Sequence, residues 1–280
     1  MRMPMVADYR AIQERSTKVY DRNRALFLKE VGLYGRMAEL ILGPTAEVPP
    51  KWEFSAKWID DVRTAMQLVI ARLFGDFEAA KYLILHGLCD QMHMPLRDST
   101  ECMMLIRLFR RDSKKAQDWI LELKQYPADQ VRDWLSELGE KAPEYELYSR
   151  FSQRSHPNLL GLSYRVEEVI EQDSSVESRI IHYGAYPNNE WTALSLKGLL
   201  VTMYWSLAVV LPLIYVPFMA DPEEWRSGVQ LLRSELHELD SNMWQKPSSG
   251  EGNLSALTKR QISVARKRLG IERLERMLSG

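Results

Sequence analysis

Apolar residues recur at three- and four-residue steps along most of this chain, a spacing that predicts helices rather than strands. Between residues 7 and 42, Tyr9, Ile12, Val19, Leu26, Val31, Leu33, Met37 and Leu40 follow that rhythm, and Gly43-Pro44 is expected to stop it. The segment from Gly43 to Trp52 holds Pro44, Pro49 and Pro50 and reads as an extended linker. A second helix begins at Ser55 and carries Trp58, Val62, Met66, Val69, Ile70 and Leu73. Gly75-Asp76 is expected to separate it from a third, from Phe77 to about Leu88, with Ala80, Leu83 and Ile84 on one side. Another runs from near Pro95 to Phe109. Connectors this short imply antiparallel neighbours in a bundle.

Two shorter helices follow, Ser113 to Lys124 with Trp119 and Leu123 inward, and Pro127 to Glu140 with Val131, Trp134 and Leu138. Ala142-Pro143 breaks the chain, and a new helix starts at Glu144. Its end is set by Pro157, since proline cannot donate to a helical ladder and turns the preceding residue away from helical backbone. A further helix is expected beyond Asn158 to about Gln172, and Arg179 to Tyr183 alternates as a short strand or extended loop would. Asn189 to Met219 reads as an apolar helix broken near Pro212. Asp221-Pro222-Glu223-Glu224 then supplies a start signal, with Asp at the N-cap, Pro at the first position and Glu at the third, ahead of Trp225, Val229, Leu232 and Leu236. That helix ends near Trp244. The fold class is therefore all-α: a multi-helix bundle over residues 55–245, with a helical N-terminal arm at 1–43 and a basic helical appendage at 254–280 after the linker Lys246 to Asn253.

Composition narrows the function classes. Across 280 residues, 37 basic and 38 acidic side chains leave a net charge of −1, so any attraction to nucleic acid must come from a local patch. Cys89 and Cys102 lack CxxC or Cys/His ligand spacing, which disfavours a zinc site and fits a reducing, cytoplasmic setting. No signal peptide is visible in residues 1–25. Gly198 to Ala220 has the length and the lack of charge of a membrane span, yet Pro212 and Pro217 interrupt it and Thr202, Tyr204, Ser206 and Tyr215 punctuate it. It is read as a buried core helix, with a single-span membrane anchor as the competing reading.

The densest chemistry lies in Tyr148-Ser149-Arg150-Phe151-Ser152-Gln153-Arg154-Ser155-His156-Pro157. A histidine at a helix C-terminus is favoured in its charged form by the helix dipole and disfavoured by Arg150 and Arg154 nearby, so it suits proton transfer near neutral pH. Beside fixed cations and hydroxyls it suits an anionic ester, such as a phosphodiester. The bland alternative is a helix cap whose arginines pair with Glu144 or Glu146. On an earlier helix, Arg97 and Glu101 are four apart and can pair across one face, with Asp98 between them.

Arg150-x5-His156, with Arg154 inside it, resembles the HEPN superfamily of small helical bundles. Arg97-x3-Glu101, followed by an apolar run and a Trp-bearing helix, is similar to bacterial all-helical families of unknown function. The resemblance covers about residues 55 to 240. It implies metal-independent RNA cleavage at a dimer cleft, with no cofactor, by a toxin or phage-defence effector that answers to an antitoxin or sensor protein. Carried onto this chain, it makes His156 the general base or acid for attack by a ribose 2′-hydroxyl, with Arg150 and Arg154 stabilising the phosphoryl charge. Ser152 or Ser155 would position the phosphate, and Arg97 with Glu101 would orient the site. Phe151 departs from the family pattern, which has a polar residue after the arginine.

Other motifs carry less. His86, Cys89, Asp90 and His93 offer donors at helical spacing, but Gly87 and Pro95 interrupt the helix a metal site would need. GxSxG, GxxxxGK[ST] and GxGxxG are absent. From Leu254 onward seven basic residues face two acidic ones, and Lys259, Arg260, Arg266, Lys267 and Arg268 form a basic amphipathic stretch suited to nucleic-acid phosphates or a partner, or to a helix-turn-helix reading. The eight tryptophans are expected to pack between helices rather than stack on bases. Against the ribonuclease stands a non-catalytic scaffold that binds protein or nucleic acid through its N-terminal arm and basic C-terminal helix.

Overall fold

The computed structural model describes residues 9–47, 62–121, 124–155, 166–170, 177–181, 185, 188–216, 219 and 221–243. They form an α-helical bundle with one small hairpin. Its helices are α1 (Tyr9–Leu26), α2 (Leu28–Glu47), α3 (Val62–Leu85), α4 (His93–Arg111), α5 (Ser113–Leu121), α6 (Ala128–Glu137), α7 (Glu144–Ser155), α8 (Asn189–Tyr215) and α9 (Pro222–Met243).

Four sequence expectations are corrected, each by a packing force. The first helix is two: the chain breaks at Phe27, whose ring is fully buried, and α2 then runs through Pro44 to Glu47. Residues 9–47 are not a free arm, because Phe27, Leu33, Met37 and Ile41 all lie in the main core and α2 packs on α3, α8 and α9. Gly75-Asp76 separates nothing. Leu73, Phe77, Ala80 and Ile84 form one buried face, and burying it outweighs the roughly 1 kcal/mol that a glycine costs within a helix. In place of a helix reaching Gln172, the chain forms strand β1 (Val166–Ile170), antiparallel to β2 (Glu177–Ile181), with Val166 opposite Ile181 and Ile170 opposite Glu177. Valine and isoleucine favour the pleated backbone, and β2 is the strand that the alternation near Arg179 suggested.

Helix α8 carries the irregularity expected near Pro212: a turn at Leu211 separates the stretch Asn189–Val210 from the short Pro212–Tyr215. It widens into a π-helical turn at Ser206–Val210, where the Leu211 amide donates to the Ser206 carbonyl at 2.8 Å. A proline ring clashes with the carbonyl four residues back and removes one hydrogen bond, and a wider turn accommodates both effects. Almost every side chain from Trp191 to Leu207 is buried, and the most apolar window of the helix is 78% enclosed by protein. A helix apolar all round sits at the centre of a bundle, and α8 does so here. Asn188 caps it, its side chain accepting from the Trp191 amide, while Asp221 caps α9 by accepting from the Glu223 and Glu224 amides as the sequence predicts.

Candidate functional site

Helix α7 carries the motif, and its position is fixed from its first turn. Glu144 is fully buried, and one of its carboxylate oxygens accepts from Arg107 Nε at 3.0 Å, Arg107 Nη2 at 2.9 Å and Trp205 Nε1 at 3.0 Å. A carboxylate in a helix first turn also gains from the dipole, so this anchor binds α7 to α4 and α8 together. Arg107 also lies 4.0 Å from Glu140, which pairs in turn with Arg111. Leu147 and Phe151 continue the buried face, and Phe151 stacks on the buried His93 of α4 with centroids 6.0 Å apart. The apolar residue that departs from the family pattern is thus a core residue.

A different face of α7 meets the outer half of α4. There the Arg97 guanidinium lies 6.0 Å from the centroid of the Tyr148 ring, and the Tyr148 hydroxyl is hydrogen-bonded to Ser152 one turn further along. Arg97 is shared between Asp98, at 3.1 Å, and Glu101, at 3.9 Å, and Arg72 of α3 lies 3.6 Å from Asp98. Asp76 of α3 completes the group, its carboxylate accepting from the Cys102 thiol at 3.9 Å. Arg97, Asp98, Glu101, Tyr148 and Ser152 are half-buried, so water reaches the cluster from one side.

Crowded carboxylates set the proton balance. Partial burial, then the charge of Asp98, pushes the Asp76 carboxyl up to about 7 against the opposing pull of Arg72. Glu101 is raised by burial and by Asp98, with Arg97 and Arg72 pulling the other way. Burial followed by Glu101 holds the Tyr148 phenol above its usual range, so it stays a hydrogen-bond donor at neutral pH. The cluster thus places a protonated phenol, a serine hydroxyl and a guanidinium side by side, with a carboxyl near its titration point on the neighbouring α3. Such a set can accept a proton, donate hydrogen bonds and hold a developing negative charge.

Arg150 is not in this cluster. It lies on another side of α7, paired with Glu146 at 2.6 Å, which is the bland alternative the sequence allowed for it. Arg154 and Ser155 lie in the last turn of α7, and their side chains are outside the described residues, as is the whole of His156. Lys259, Arg260, Arg266, Lys267 and Arg268 are also outside. Arg97, Glu101 and Ser152, expected only to assist, are brought together. Tyr148, Arg72 and Asp76 were not singled out by sequence. The Tyr148-x3-Ser152-x3-His156 spacing was the available signal for the first, whereas reading Gly75-Asp76 as a break hid the third.

His86 sits between Tyr20 and Tyr82, His93 stacks with Phe151 and Cys89 is a buried free thiol, so the donors spaced along that stretch serve separate neighbours. Among the described residues no group of three histidine, cysteine, aspartate or glutamate side chains is arranged to hold a metal ion. Trp191, Trp205 and Trp225 are buried, and Trp119 and Trp134 pack against aromatic neighbours. Compared with known proteins, the chain matches no family model, no curated sequence and no solved structure.

Proposed function

We propose that this chain is a metal-independent endoribonuclease, of the kind a toxin or phage-defence effector employs, with its site along α7 and the facing part of α4. One observation carries the reading: Arg97 and Glu101 sit against Tyr148 and Ser152 on the helix Glu144–Ser155, which His156 follows in sequence. RNA cleavage of this type needs a proton acceptor for the 2′-hydroxyl, a proton donor for the leaving 5′-oxygen, and cations or hydrogen-bond donors at the phosphoryl oxygens. In this reading His156 carries a proton, and Arg97, Tyr148 and Ser152 contact the phosphate. Arg154 supplies a second cation from the sequence motif, whereas Arg150 is bound to Glu146 and plays no direct part.

The test is induced expression of the wild type beside His156→Ala, with growth and total RNA integrity followed together. Growth arrest and RNA fragmentation by the wild type alone, with the variant equally soluble and helical by circular dichroism, is the expected result. Purified wild type should also cut RNA in the presence of a chelator and leave 2′,3′-cyclic phosphate ends. Intact RNA in cells and with purified protein would move the weight to a non-catalytic scaffold.

A further inference from the structure

We infer that the outer side of α1, together with Tyr82 and His86 at the end of α3, is a binding surface for single-stranded nucleic acid. It lies apart from the candidate site on α4 and α7 and does not depend on cleavage there. Helix α1 holds five basic residues against two acidic ones, Glu14 and Asp21, in a chain whose net charge is −1. Its Val19 and Asn23 are buried, and Asn23 Nδ2 donates to the Leu85 carbonyl at 3.1 Å, which pins α1 to the end of α3. Arg15, Lys18 and Arg24 stay on the exposed side. Many arginines elsewhere are tied to carboxylates, as Arg36 is to Glu235, Arg111 to Glu140 and Arg132 to Asp133. Arg15, Lys18 and Arg24 pair with no acid among the described residues, so their charge is left for an anion from outside.

The same anchor builds an aromatic stack beside these cations. Tyr20, one turn before Asn23, meets the His86 ring with centroids 4.6 Å apart, and His86 in turn meets Tyr82 at 3.9 Å. His86 Nδ1 lies 2.8 Å from the Tyr82 carbonyl, which can only accept, so that nitrogen carries a proton and its bond holds the imidazole in place. The imidazole covers one face of the Tyr82 ring. Tyr82 is nevertheless 58% exposed, so its other face is open to solvent.

Cations alone suit any polyanion. An open aromatic face adds a demand for a flat ring, and an unpaired strand meets both demands, with its phosphates on the cations and a base on the tyrosine. In a duplex the base faces are covered by their own stack, and an acidic protein or lipid surface offers the anions without the bases. Tyr82 is therefore the residue that sets the partner class.

The test is fluorescence anisotropy of the full chain with a fluorescein-labelled single strand of 2′-O-methyl oligouridine, whose blocked 2′-oxygen cannot attack, beside a duplex of equal length. Wild type is expected to prefer the single strand. Tyr82→Leu should weaken that binding by about tenfold or more, whereas Tyr82→Phe, which keeps the ring, should stay within about threefold of wild type. Replacing Arg15, Lys18 and Arg24 together by Gln should lower the slope of log affinity against log salt by about 2. Each variant must match wild type in helicity by circular dichroism. No binding by wild type, or variants that all bind as wild type does, overturns the inference. A triple variant that loses affinity while Tyr82→Leu keeps it marks a surface for polyanions in general, such as duplexes or acidic vesicles, and overturns the single-strand assignment.

Discussion

The two halves of the α4–α7 contact are built from the same residue types to opposite ends. At the inner half, Glu144, Arg107 and Trp205 are sealed into the bundle, with the carboxylate fully buried and three donors on one of its oxygens. At the outer half, Arg97, Glu101 and Tyr148 make looser contacts, 3.9 and 6.0 Å, and stay half-exposed. A sealed ion pair fixes helix rotation, because losing either partner strands a charge in a low-dielectric interior. A half-exposed one keeps its charges available to an incoming ligand. The difference teaches where chemistry can reside in this molecule: the inner cluster sets the register that lets the outer one face outward.

The sharpest way to break this contrast is to remove the anchor. Glu144→Ala leaves Arg107 without its buried partner and is expected to cost about 3 to 5 kcal/mol, read as a shift in the urea midpoint with little change in slope. Glu101→Ala, on the outer half, should cost no more than about 1 kcal/mol in the same assay, since exposed or half-exposed pairs contribute little. A comparable loss at both positions would show that the two halves are not built differently.

Asp76 sharpens the comparison through pH. Its folded carboxyl binds a proton up to about 7, whereas an unfolded one releases it near 3.8. Between those values the native state holds more protons, so stability falls as pH rises through that window and levels off above it. Asp76→Asn should remove this slope and be more stable than wild type at pH 8 by about 1 to 2 kcal/mol, the effect being reduced by solvent on the open side. Thermal melts of both proteins from pH 4 to pH 9 check it, and parallel curves would refute it. The smallest effect is expected from Arg150→Ala, which breaks an i,i+4 pair with Glu146 and should cost about 0.5 kcal/mol or less, measured by the same melts.

Much of the fold is legible in the sequence because helical periodicity is a local property. The start of α7 after Pro143, the Asp221 cap of α9 and the buried character of α8 all follow from residues within a turn or two of one another. The pairing of Arg97 with Glu101 was also legible, since four residues is one turn.

Other features were settled by contacts between residues far apart in the chain. Gly75 and Pro44 read as breakers, yet they lie inside helices because burial on neighbouring helices outweighs a local penalty of a few kcal/mol at most. Ahead of Pro212 a π turn takes up the strain of the proline, and the buried face of α8 resumes at Ile214 and Tyr215. Arg97 faces Tyr148 because Glu144 locks the rotation of α7 through Trp205, 61 residues away. Sequence spacing determines which residues share a face of one helix. Which faces meet depends on how helices distant in sequence rotate to bury their charges and rings, and only the tertiary structure decided that.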